Sequence, residues 1–237
     1  MNYESYRKRL QYLLVTGKIS RDEYNLLIKI VNQNLSFTAR FFSLCINPFA
    51  HIKSFDLLSL GIMGIVYLSI IGTQLHLHYD GLIGFSVLNK HKRINEVQLL
   101  LEQLFTWVVW VFIASLNLTI IRVNNFRHID LINFSLIVKF PYLLLATICY
   151  LLYLLNPDVL SFSVSTSSSL LTKVLNMLLS VVSYTFLIWV VVLYFNALKE
   201  SSGLVGGKLW LCFISAFIIT NVVLFAVVEP LINRIIF

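Results

Sequence analysis

The chain has 237 residues, 58% of them hydrophobic and only 12% charged, with a formal charge of +7. Soluble domains carry about 25% charged and 45–50% apolar residues, so a water-soluble enzyme, a disordered tail and a secreted disulfide scaffold are excluded. The basic residues flank apolar runs instead of forming a patch, which makes them a topology signal and excludes a nucleic-acid partner.

The first 36 residues are expected to form a cytoplasmic helical hairpin. Tyr6, Leu10, Leu13 and Leu14 follow helical spacing. Gly17 suits a C-terminal cap, and Ser20-Arg21-Asp22-Glu23 has the capping-box form, in which serine and glutamate satisfy each other's backbone amides. Tyr24, Leu27, Ile28 and Val31 continue the apolar face. Residues 37–56 form an entry segment, in which Phe37, Phe41, Phe42, Leu44 and Ile46 suit a helix in the headgroup plane. Asn47-Pro48 ends that helix.

Residues 57–237 hold five apolar runs, at 57–75, 103–121, 136–156, 174–198 and 209–228. Each is close to the roughly 20 residues that cross a bilayer as a helix. The third reaches residue 136 only if Lys139 snorkels to the surface. The fold class is therefore an all-α membrane protein with five transmembrane helices and a short cytoplasmic hairpin. Eight of the Lys and Arg residues precede the first run, and Arg122, Arg127, Lys139, Lys199 and Lys208 share their side. Lys90, Lys92, Arg93 and Arg234 stand opposite. The positive-inside rule gives a cytoplasmic amino terminus and an external carboxyl terminus. Trp107, Trp110, Trp189 and Trp210 lie near run ends and suit interfacial anchoring.

Signals for chemistry are sparse. P-loop, Rossmann, zinc-protease and GxSxG motifs are missing, and Cys45, Cys149 and Cys212 have no metal-ligand spacing. His76, His78, Asp80 and His91 are the weak metal candidates after the first run, but alternation puts His76 and His78 on one side only in an extended segment. No metal, cofactor or catalytic residue is expected. Asn117, Asn176, Asn196 and Asn221 are polar residues of the spans, suited to interhelical bonding or to a pore lining. With no carboxylate or cation counted inside the runs, an ion-coupled transporter is disfavoured, while Gly61 and Gly64 permit close helix approach.

The leader, with its leucines, glycine, Ile19-Ser20 and an acidic residue before Tyr24, resembles the small SHOCT-type helical module. From Asn47-Pro48-Phe49 onward the chain resembles the Yip family of five-span membrane proteins, which has bacterial and eukaryotic branches. Phe126-Arg127-His128-Ile129 leading to Phe140-Pro141-Tyr142 is similar to that family's entry into span three. Trp189 followed by Asn196-Ala197-Leu198-Lys199-Glu200-Ser201-Ser202-Gly203-Leu204 and Lys208 resembles the joint between spans four and five of bacterial members. The acidic signature of eukaryotic members is missing, so Rab GTPase binding does not carry over. The resemblance implies a bacterial inner-membrane location and a non-enzymatic scaffold or adaptor. Its partners would be the lipid bilayer, a second copy or other membrane proteins, and a cytoplasmic protein at the hairpin. A small oligomeric transporter or pore without intramembrane charges is the alternative.

Overall fold

The computed structural model describes residues 3–33, 37–50, 57–78, 81–84, 86–87, 95–123, 126–155 and 170–236. It is helical almost throughout. Helices α1 (Tyr3–Val15) and α2 (Arg21–Gln33) form the hairpin, and α3 (Phe37–Ile46) follows. Among the described residues five helical segments are long and apolar enough to cross a membrane: Leu57–Leu75, Glu96–Ile120, His128–Leu155, Met177–Ser202 and Gly207–Ile232.

Local chemistry builds the hairpin. Leu10, Tyr24 and Ile28 form a small core of their own. Gly17 takes a left-handed φ of 69°, and the amides of Gly17 and Lys18 close the end of α1 on the carbonyls of Leu14 and Leu13. The capping box is formed: Ser20 N donates to Glu23 Oε2 at 2.7 Å, and Glu23 N donates to Ser20 Oγ at 3.2 Å. These bonds, first from the Ser20 amide and then from its hydroxyl, hold the Glu23 carboxyl below its ordinary pKa. A depressed folded value stabilises fully above the ordinary carboxyl range, and the effect vanishes as pH falls through the depressed value. Amide protection in the first turn of α2 is therefore expected to fall at acid pH, and Glu23→Gln is expected to remove that pH dependence when hydrogen exchange is measured.

Helix α4 (Leu57–Leu75) packs against α5 (Glu96–Ile120), α6 (His128–Ile137) and α7 (Phe140–Leu155). The close approach expected at its glycines is present. A Cβ at Gly61 would fall on that of Leu136, and one at Gly64 would lie 3.2 Å from Leu143 Cδ1. Helix α8 (Leu170–Ser202) packs on α6 and α7, and α9 (Gly207–Val223) packs on α5. A π-helical turn, Leu224–Val228, joins α9 to α10 (Glu229–Ile236). On the side away from the hairpin, strands β1 (Leu77–His78) and β2 (Ser86–Val87) make a two-residue antiparallel ladder.

Span boundaries shift where side chains satisfy what lipid cannot. Helix α5 begins seven residues before the second apolar run, because Asn95 caps it through Val97 N at 3.2 Å and Glu96 complements the N-terminal dipole. The third span starts at His128, not Leu136, and breaks at Val138–Lys139. Pro141 explains the break, since it lacks an amide donor and its ring clashes with the preceding turn. Helix α5 ends in a Schellman motif: Val123 N bonds Leu118 O, and Arg122 N bonds Thr119 O, each at 3.0 Å. Arg122 occupies the left-handed position at φ 59°, where a non-glycine residue costs about 1–2 kcal/mol.

Trp110 is not an interfacial anchor. It is fully buried, edge-on to Tyr194 of α8 at 4.7 Å and to Phe213 of α9 at 6.3 Å. Its place on the inward stripe of α5 puts it in the core. Trp107 and Trp189 bind backbone carbonyls of other segments, Ile132 O at 3.1 Å and Cys45 O at 2.6 Å. Trp210 is exposed, in keeping with an anchor.

Candidate functional site

Two buried polar networks sit at opposite ends of the bundle. The first lies on the hairpin side. Arg21 at the start of α2 reaches the bundle, where Nη2 pairs with Asp130 Oδ2 at 2.9 Å and donates to Glu200 O at 3.0 Å. The Glu200 carboxylate accepts from Asn47 Nδ2 at 2.9 Å. Asn196 donates to Ile46 O at 3.0 Å, and Arg127 N to Ser201 O at 3.3 Å. Hairpin, entry segment, α6 and α8 thus meet in one cluster, and its carboxylates are almost wholly removed from water.

The joint between α8 and α9 completes this end. Gly203 closes α8 in the left-handed conformation, φ 68°, donating to Lys199 O at 2.8 Å. That position lets Leu204 tuck in, buried, with its amide on Ser202 Oγ at 3.2 Å. Lys208 is exposed at the start of α9, and Pro141 is buried at the break of the third span.

The second network reaches into the membrane span from the opposite side. Glu102 accepts from Gln98 Nε2 at 3.2 Å and lies 3.1 Å from His78 Nδ1. His78 Nε2 faces Glu229 Oε1 at 3.9 Å. At the next residue of α5, Lys139 Nζ donates to Gln103 Oε1 at 2.5 Å, with Glu102 as its electrostatic counterpart. Lys139 is only 6% exposed. It stands eleven residues beyond His128, roughly 16 Å along the helix, near the middle of the third span. A cavity of about 20 Å³ lies between His78, Glu102, Thr106 and Glu229.

These positions correct two expectations. Lys139 does not snorkel, because it lies at a helix break facing α5, where Gln103 and Glu102 receive it. Nor are the spans free of charge: Glu102, Asp130, Lys139 and Glu200 are buried, and local pairing makes that tolerable. The described asparagines lie apart. Asn196 is tied to Ile46 O at the hairpin end, whereas Asn221 accepts from Leu82 N at 3.2 Å at the other. Asn117 Nδ2 is buried without a hydrogen-bond partner, and the side chain of Asn176 lies outside the described residues.

Of the metal candidates among the described residues, only His78 meets carboxylates. His76 sits in a left-handed turn at φ 53° with Nδ1 buried and unbonded, and Asp80 and His91 lie outside the described residues. Among the described residues no group of three or more His, Cys, Asp and Glu could hold a metal ion. Glu102, Glu229, Asp130 and Glu200 escaped sequence reading. No local pattern signals that Lys139 meets Gln103 across 36 residues.

No family model, curated protein or solved structure matches this chain. Function must therefore be argued from the two networks.

Proposed function

We propose that this protein is a non-enzymatic integral membrane scaffold or adaptor of the Yip type, whose hairpin presents a docking surface at a fixed place on the membrane. The clamp of Arg21 on Asp130 and the Glu200 carbonyl carries this reading. A tether has no need of a buried ion pair, whereas a presented surface needs a fixed orientation. Tyr12 and Leu26 are exposed on the hairpin, and apolar side chains uncovered on a water-facing element suit a protein partner. The excess of Lys and Arg on that side supports a cytoplasmic hairpin, and the Yip resemblance suggests a bacterial inner membrane.

Asp130→Ala removes the buried partner of Arg21 and is expected to free the hairpin at a cost of about 1–3 kcal/mol of local stability. Hydrogen exchange across residues 9–28 should rise, partner capture should fall, and the five spans should keep their protection. Undiminished capture by a hairpin shown to be released would overturn the adaptor reading.

The second network favours a second reading, a small cation- or proton-handling transporter. A lysine at mid-span beside a glutamine and a glutamate is the arrangement that membrane proteins use for charge pathways. Reconstituted vesicles distinguish the two: flux above that of empty vesicles, lost in Lys139→Met, would favour transport over scaffolding.

A further inference from the structure

We infer that the groove between α5 and α6 on the hairpin side holds one acyl chain of an anionic phospholipid, with the phosphate at Arg122. The groove, open along one side, has a volume of about 500 Å³, within the range of ligand sites. Trp107, Val111, Ser115 and Thr119 line one wall, and His128 and Ile132 line the other. The first four are spaced by four residues and so make one stripe along α5, roughly 18 Å long. This matches one leaflet of hydrocarbon, about 15 Å. The Trp107 indole, bonded to Ile132 O at 3.1 Å, joins the walls at the deep end.

Charge sits at the other end. Arg122 is exposed three residues beyond Thr119, the last lining residue of α5. The one carboxylate in the first turn of α6, Asp130, is held by Arg21, which leaves the mouth cationic. Arg122 also occupies the left-handed position of the α5 cap, where glycine would be easier. A strained position filled by a cation at the end of a lipid-length groove points to an anionic headgroup. This inference is independent of what the hairpin binds.

The test is native mass spectrometry of the full chain exchanged into equal amounts of phosphatidylglycerol and phosphatidylcholine. The wild type is expected to retain phosphatidylglycerol preferentially. Arg122→Gly is expected to lower that retention about fivefold, the worth of one surface cation near anionic lipid, while the melting temperature stays level or rises. Val111→Trp, which fills the groove from a half-buried position at the edge of the core, is expected to abolish retention. Equal retention of the two lipids, unchanged retention in either folded variant, or a lipid-free dimer that Val111→Trp disrupts would each overturn the proposal. The last result would assign the groove to a second copy.

Discussion

Lys139→Met is expected to destabilise the protein by about 3 kcal/mol, because removing one member of a buried charged pair leaves the others uncompensated. Gln103 Oε1 loses its donor, and Gln103 Nε2 is already buried without a partner. Glu102 loses its nearby cation, keeping His78 and Gln98. The double variant Lys139→Met/Glu102→Gln should recover much of the loss, since replacing all members of a buried ionic cluster is far cheaper than deleting one. Intrinsic-fluorescence unfolding in detergent measures both, and the coupling should reach about 1–3 kcal/mol. A surface-seeking lysine would give a change within about 0.5 kcal/mol, so a near-neutral single variant would contradict the buried position.

Trp110→Ala is expected to cost about 3–5 kcal/mol, the range for emptying a large buried aromatic site. Three helices lose their common contact, because Tyr194 and Phe213 both rest on this ring. Trp110→Phe separates packing from hydrogen bonding. The indole nitrogen has no partner among the described residues, so keeping a ring while removing an unmet donor should cost about 1 kcal/mol or less. Trp210→Ala, at an exposed residue, is expected to change stability by only about 0.5 kcal/mol. Parallel unfolding curves of the three variants check the order, and a Trp210 effect equal to that of Trp110 would refute it.

The contrast between Trp110 and Trp210 marks where sequence reading stops. Both tryptophans lie near the end of an apolar run, and both suit the headgroup region. Only the helices around them differ. Span existence and hairpin form were legible because they rest on local physics. A helix satisfies its own backbone in lipid, Ser20 and Glu23 cap within one turn, and Gly203 closes α8 on a carbonyl four residues back. Each is complete within a few residues of chain.

The sequence by itself determined five membrane-crossing helices, a capped hairpin before them and a glycine-closed joint between the last two spans. Tertiary structure alone decided where the charges go. Arg21 finds Asp130 across 109 residues, Asn47 finds Glu200 across 153, and Lys139 turns inward to Gln103. A charged side chain at a helix edge has two ways to avoid bare lipid, reaching water or meeting an opposite partner. Which it takes depends on the neighbouring helix face, and no local pattern in the chain encodes that face.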